Sequence, residues 1–238
     1  MKTLKNVILV ALGTFVISCD NDDTSVSNEA LTEEEAVAVV ESTLARQSAG
    51  LDETTYAYSK SYEEDYAMNF QCNTLIQEDY DYDYSGNFVQ ANYSYNWDFE
   101  LNCNAFSIPQ SAEFNSNGNG NYTTPKLSSN DSSSLNSTVT GLQPTASELI
   151  FSGTYERIGT QEYSSNFINK TLASEFKATI SSIAVNKANY QINSGMASFT
   201  LTGTSNGTPF SFSGSITFNG NNTATVTING NNYNVDWN

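Results

Sequence analysis

Residues 72–103 read CNTLIQEDYDYDYSGNFVQANYSYNWDFELNC, and their odd and even positions differ in chemistry. If Cys72 lies opposite Cys103, the two halves form an antiparallel hairpin that turns around residues 85–87 and pairs Tyr80 with Tyr95. A slip of one residue would mix the two faces, so the sorting itself predicts this register. One face then carries Cys72, Ile76, Tyr80, Tyr82, Tyr93, Tyr95, Trp97, Phe99, Leu101 and Cys103. The other carries Asp79, Asp81, Asp83, Asn92, Ser94, Asn96 and Asp98.

The chain beyond this hairpin reads as a series of short strands. Residues 210–218, 224–228 and 233–237 alternate apolar and polar side chains, which is typical of strands with one buried face. Asn-Gly pairs at 206–207, 219–220 and 229–230 predict turns between strands. Further strands are predicted at residues 149–155 and 176–183, and loops in the Asn, Ser and Gly tracts at residues 115–121 and 128–137.

One helix is predicted before the hairpin, over residues 31–50. Thr32 and Glu35 have the spacing of a capping box, and Gly50 is a stop signal. The apolar stripe of this helix, Val37, Val40 and Leu44, requires a partner, either the sheet of the same chain or another protein. Residues 52–69 predict a mixture of strand and loop. The fold class is therefore mainly β, an antiparallel meander sheet that is open or curved into a half-barrel or barrel, with one N-terminal helix packed on it.

The N-terminus has the pattern of a secretory signal. Lys2 and Lys5 precede an apolar run over residues 7–17 that is too short to span a bilayer. The end of the run, Val16-Ile17-Ser18-Cys19, resembles a bacterial lipobox, and the resemblance implies lipid attachment at Cys19. An ordinary secretory signal with an incidental cysteine is the alternative. We expect a signal peptide at 1–18, an acidic tether at 19–28 and a single β-rich domain at 29–238.

Acidic residues follow Cys19 directly, at Asp20, Asp22 and Asp23. With the lipobox, the helix start at residues 31–36 and the terminal turns at 219–230, they resemble uncharacterised Bacteroidota surface lipoproteins. The resemblance implies a lipid anchor in the outer membrane that faces the cell surface, with the periplasmic face as the alternative. A solvated tether explains residues 20–23 without export.

Cys72 and Cys103 are the cysteines left after Cys19, and an exported protein favours a disulfide between them over two free thiols. The chain-entropy relation gives such a bond roughly 3.5 to 4 kcal/mol.

Charge is concentrated in one part of the chain. The formal net charge is −17, and residues 19–100 hold 19 acidic and two basic side chains. Such a surface repels nucleic acid phosphates and suits calcium or basic partners, although it also serves solubility alone.

The sequence contains no histidine, which excludes Ser-His-Asp, Cys-His and histidine-zinc chemistry. Carboxylate chemistry remains available, and Asp79, Asp81 and Asp83 are candidate calcium ligands. Tyr84 stands where an EF-hand loop needs glycine, and in a strand the three carboxylates lie about 7 Å apart, which favours solvation. No other cofactor is expected.

Tyrosine is concentrated between Tyr56 and Tyr95, which include nine of the 14. Aromatic rings beside carboxylates are typical of sugar-binding surfaces, and they are equally typical of cross-strand packing. Packing suits the hairpin tyrosines, so the candidate ligand-binding residues are Tyr56, Tyr58, Tyr62 and Tyr66.

Three functions fit these features. The first is a non-catalytic binding or structural module of the envelope, with a glycan or protein ligand. The second is a carrier of an apolar ligand in a half-barrel, which needs a large cavity between helix and sheet. The third is an acid-pair polysaccharide hydrolase, which needs two carboxyls across a cleft. The first is favoured because no catalytic constellation is evident.

Overall fold

A ten-stranded antiparallel sheet forms most of the protein, seen in a computed structural model that describes residues 30–68, 71–165 and 168–237. Each strand pairs with its sequence neighbours, so the predicted meander is confirmed. The sheet is open, with β1 and β10 at its edges. The strands are β1 (Leu75–Ser85), β2 (Gln90–Cys103), β3 (Pro109–Thr123), β4 (Leu127–Thr140), β5 (Glu148–Ser165), β6 (Ile168–Asn186), β7 (Ile192–Ser205), β8 (Thr208–Gly220), β9 (Thr223–Ile228) and β10 (Asn231–Asp236).

The β1–β2 hairpin has the predicted register. Tyr80 pairs with Tyr95, and Tyr82 pairs with Tyr93. The aromatic face packs on the core, while the aspartates and asparagines of the other face are largely exposed. The alternation of apolar and polar residues along these two long strands therefore determines their register, independently of the rest of the chain.

Cys72 and Cys103 form the predicted disulfide, with their Cα atoms 5.7 Å apart. The two cysteines are not an opposed pair in the β1–β2 ladder, as the register implied, because β1 begins only at Leu75. Asn73 has a φ of 54°, a left-handed conformation that asparagine tolerates, and this bend takes Cys72 out of the strand. The disulfide therefore joins Cys103, at the end of β2, to Cys72, which precedes β1 and lies outside the β1–β2 ladder.

Between residues 30 and 68, two helices precede the sheet, where one was predicted. The first, α1 (Glu33–Leu44), has the expected capping box: Glu35 Oε2 accepts from the Thr32 amide at 2.8 Å, and Thr32 Oγ1 accepts from the Glu35 amide at 3.3 Å. A 3₁₀ turn (Arg46–Ser48) follows, and Gly50 caps the start of α2 rather than ending α1. The second helix, α2 (Leu51–Ser61), continues into one π-helical turn (Tyr62–Tyr66).

The strand and loop prediction is thus wrong for residues 52–66, and residue 69 lies outside the described residues. Two buried hydroxyl side chains inside α2 are satisfied by the helix itself: Thr55 donates to the Leu51 carbonyl at 3.1 Å, and Ser59 donates to the Thr55 carbonyl at 2.7 Å. Tyr58 is 0% exposed and its ring contacts Phe114 and other core aromatics. Tertiary packing therefore overrides the β propensity of this segment.

The Asn, Ser and Gly tracts predicted as loops belong to β3 and β4. In β3, two core-facing positions are glycine because rings from the neighbouring strand β2 cover them. A Cβ at Gly118 would overlap the ring of Tyr95, and one at Gly120 would lie 2.7 Å from the ring of Tyr93. Glycine in these strands thus makes room for tyrosine from the neighbouring strand.

Turn chemistry is confirmed at two of the three Asn-Gly pairs, residues 206–207 and 229–230. The third turn falls two residues later, at Asn221 and Asn222, whose φ values of 52° and 55° suit asparagine. Gly220 instead ends β8.

The start of α1 contacts the last hairpin of the sheet. Glu33, at the start of α1, accepts hydrogen bonds from Asn229 at 2.8 Å, Asn231 at 2.9 Å and Tyr233 at 2.7 Å. Lys170 on β6 forms a buried ion pair with Glu35 at 2.7 Å. The first helix is therefore anchored by the second half of the sheet.

Candidate functional site

A cleft of about 470 Å³ lies where α1 meets the sheet. Its walls are the β1–β2 turn at residues 86–89, the β3–β4 turn at residues 124–126, one side of α1, and the chain end at Asp236 and Trp237. Because residues from the first and the last strands line one cleft, the open sheet curves around the helices. This volume is in the range of small-molecule sites.

Aromatic and apolar side chains form much of the lining. Tyr84 and Phe88 are 37% and 77% exposed at the β1–β2 turn, and Trp237 is 5% exposed. Trp237 is held firmly, because its indole Nε1 donates to Asp52 at 3.1 Å and its carbonyl accepts from Gln47 at 2.6 Å. One wall of the cleft is therefore rigid, while the Phe88 ring extends into solvent.

Three charged side chains line the cleft, namely Glu41, Asp236 and Lys126. Burial raises the pKa of Glu41, the positive charge of Lys126 opposes this shift, and the negative charge of Asp236 adds to it. The Glu41 carboxyl, half-buried on α1, therefore retains its proton to a higher pH than an ordinary glutamate.

A buried ion pair supports the floor of the cleft. Arg157 on β5 contacts Asp131 on β4 at 2.9 Å, and their side chains are 4% and 0% exposed. The guanidinium also donates to the carbonyl oxygens of Ser42 at 3.2 Å and Ser48 at 2.9 Å. Because Ser42 and Ser48 line the cleft, Arg157 fixes the end of α1 and the following turn on the sheet. This network holds the helices in position on the sheet, because it lies beneath them.

Glu53 on α2 is a second buried acid, 1% exposed, and it accepts a hydrogen bond from Tyr80 at 2.7 Å. Burial raises its pKa to about 7, against the lowering effects of this hydrogen bond and of Arg46. It faces a pocket of about 10 Å³ between α2 and the sheet. At this place the interface between helices and sheet is filled by side chains.

The candidate ligand-binding tyrosines divide into two pairs. Tyr58 and Tyr62 are 0% and 1% exposed, so they have no face for a ligand and the prediction is wrong for them. The helical spacing that the prediction missed turns both into the core. Tyr56 and Tyr66 are half-buried; Arg46 lies over the Tyr56 ring at 4.0 Å, and the Tyr66 hydroxyl donates to Glu78. Neither lines the cleft.

The candidate calcium ligands lie on the exposed face of β1, as the register predicts. Asp81 accepts a hydrogen bond from Ser94 at 2.8 Å, and Asp83 accepts one from Asn92, so two of the three are occupied by β2. Within residues 30–68, 71–165 and 168–237, no three His, Cys, Asp or Glu side chains are grouped to hold a metal ion. The calcium site stays a prediction, and so does lipid attachment, because Cys19 lies outside the described residues.

Sequence reasoning did not single out any residue of the cleft. Its lining comes from chain segments between residues 38 and 237, with no local motif. The Arg157–Asp131 pair could have been noticed from the sequence. Both charged residues occupy core-facing positions of their strands, where apolar residues are the rule.

Comparison with known protein families, with curated proteins and with solved structures found no significant match for this chain. In the described part of the chain, no helix has the length and hydropathy needed to cross a membrane.

Proposed function

We propose that the protein is a non-catalytic binding module of the bacterial envelope, lipid-anchored at Cys19 and facing the cell surface. The observation that carries the binding role is the cleft of about 470 Å³, with three aromatic rings, three charged groups and a rigid floor. Concave sites with apolar walls and a few placed polar groups are where small ligands usually bind. The Cys72–Cys103 disulfide supports export, since such bonds persist in oxidising compartments.

A fragment screen followed by tryptophan fluorescence tests the cleft, because Trp237 forms one of its walls. We expect at least one ligand whose binding is lost in Phe88→Ala. Phe106→Ala is the matched control, because Phe106 is similarly exposed, at 84% against 77%, and does not line the cleft. If no fragment binds, or if both variants bind as the wild type does, the cleft is not the binding site.

Metabolic labelling with a clickable palmitate analogue tests the anchor. The wild-type protein should be labelled and Cys19→Ala should not; a labelled variant would reject the lipobox. Surface exposure is tested by protease added to whole cells. Replacement of Asp20, Asp22 and Asp23 by alanine should reduce cleavage, whereas unchanged cleavage would mean that the acidic run is only a tether.

A second candidate function is an acid-pair hydrolase acting on polysaccharide, because Glu41 and Asp236 line the same cleft. A carboxyl whose pKa burial raises suits the general acid of such a pair. Release of reducing ends from a polysaccharide panel, lost in Glu41→Gln, would support it. Absence of release by the wild type would remove it.

The carrier of an apolar ligand gains no comparable support. It needs a large apolar cavity between helix and sheet. The pocket between α2 and the sheet holds only about 10 Å³, and the larger cleft beside α1 is lined by three charged side chains.

A further inference from the structure

Three aromatic residues and three charged residues line the same cleft. Tyr84 and Phe88 come from the β1–β2 hairpin, and Trp237 comes from the end of the chain. Phe88 leaves most of its apolar surface in water, which costs free energy unless something covers the ring. The faces of aromatic rings are electron-rich and attract cations within about 6 Å of the ring centre.

Glu41 differs from the other buried acids between the helices and the sheet. Glu35 pairs with Lys170, Asp52 with Arg46, and Asp131 with Arg157, while Glu53 accepts from Tyr80. The Glu41 carboxyl has no hydrogen bond or ion pair with any residue in the described ranges, although it is half-buried. Buried charges in proteins are normally paired, so this carboxyl lacks the partner that the neighbouring acids have.

The charge of the cleft is negative. Glu41 and Asp236 contribute two carboxyls and Lys126 one ammonium group. Lys126 lies on an exposed turn, where water and salt screen its charge more strongly than that of half-buried Glu41. The formal charge of the whole chain, −17, has the same sign and attracts cations over a longer range.

From these features we propose that the cleft binds an organic cation, an amine carried on an apolar body. The ammonium group pairs with Glu41 and lies against the rings of Phe88 and Tyr84, while the apolar body covers Val89, Pro125 and Leu127. The acidic segment at Asp20, Asp22 and Asp23 of the same chain is a poor occupant, because its charge repels Glu41. This inference rests on the proposed function, since it names the ligand class of the proposed cleft.

Hexylamine, hexanol and hexanoate test the proposal, because they share one apolar body and differ in charge. Binding to the purified protein is measured at pH 8 and low salt by calorimetry and by intrinsic fluorescence, to which Trp237 of the cleft and Trp97 on β2 both contribute. We expect hexylamine to bind roughly tenfold more tightly than hexanol, and hexanoate more weakly than both. Equal binding of amine and alcohol, or preference for hexanoate, would overturn the proposal.

Two substitutions in the cleft should act in opposite directions. Glu41→Gln should remove the preference for the amine, and Lys126→Ala should increase it by removing the repelling charge. Glu34→Gln is the matched control, because Glu34 is exposed on the same helix and does not line the cleft. Circular dichroism checks that each variant is folded. If Glu41→Gln does not fold, Lys126→Ala still decides the test.

The outcomes separate this inference from the proposed function. If the three probes bind equally and Phe88→Ala weakens them all, the cleft is a binding site without charge selectivity, and only the cation is wrong. If none of the probes binds, the cation proposal fails, and the fragment screen with Phe88→Ala decides the proposed function.

Discussion

Replacing Asp131 by alanine would leave the guanidinium of Arg157 buried without its counter-charge. Asp131 Oδ1 accepts from Arg157 Nε at 2.9 Å and from the Tyr93 hydroxyl at 2.8 Å, and its other oxygen accepts from Ser129 at 2.6 Å. The side chains of the pair are 0% and 4% exposed, so water cannot replace the lost carboxylate. Removing one partner of a buried ion pair costs about 3 to 5 kcal/mol.

Urea denaturation, followed by circular dichroism, measures this loss. With an m value of roughly 2 to 3 kcal/mol/M, the midpoint should fall by about 1 to 2.5 M. Adding Arg157→Met should recover much of the loss, because the double variant no longer buries an unpaired charge and keeps a side chain of similar length.

Asp81→Ala is the control for this experiment. Asp81 also accepts a side-chain hydrogen bond, from Ser94 at 2.8 Å, but it is exposed on the outer face of β1. Its loss should change the free energy of unfolding by less than about 0.5 kcal/mol. Two results would refute the reasoning: a cost below about 1 kcal/mol for Asp131→Ala, or a double variant no more stable than the single one.

Three further variants test other parts of the fold. Cys103→Ser opens a disulfide with a sequence separation of 31 residues, and chain entropy predicts a loss of about 3.7 kcal/mol in urea denaturation; an unchanged midpoint would contradict it. Glu53 has a folded-state pKa raised to about 7, so the folded state binds more protons than the unfolded state between pH 4.5 and 7, and stability should fall by about 3 kcal/mol as pH rises through this window. In Glu53→Gln this fall should be absent, and equal pH profiles for variant and wild type would reject the shift. Gly118→Ala drives a Cβ into the ring of Tyr95 and should cost about 1 to 3 kcal/mol, whereas a stabilised variant would show that the ring moves aside freely.

The register of the central hairpin could be predicted because its information is local. Tyr80 and Tyr95 each stand in a strand that alternates strictly, so two short patterns determine one pairing. The bend at Asn73 was not predictable in this way, because a single asparagine adopts extended and left-handed conformations at similar cost.

The strand conformation of glycine-rich β3 depends on residues elsewhere in the chain. Gly118 looks like a loop residue until Tyr95 is placed over it, and only the pairing of β2 with β3 does that. The opposite holds in α2, where the sequence contains a helical pattern but the strand propensity of its residues outweighed it in the prediction. Leu51, Tyr58 and Tyr62 have helical spacing, but the Tyr and Thr content of the segment favours strands.

The cleft could not be predicted from the sequence at all. Glu41 is an ordinary position on an amphipathic helix, and Phe88 is an ordinary turn residue. They become neighbours of Trp237 only when the curved sheet brings its two edges to the same helix. A site assembled over almost 200 residues of chain has no motif to find.

The contacts of Glu33 with Asn229, Asn231 and Tyr233 have a kinetic consequence. The start of α1 is held by the last hairpin, so a chain synthesised from its N-terminus cannot complete the packing of α1 until residues about 200 positions later are available. Contacts of such high sequence separation slow folding, because loop closure must precede the stabilising contacts. During synthesis α1 therefore stays beside an unfinished sheet, with its apolar face accessible to chaperones that bind unfolded chains.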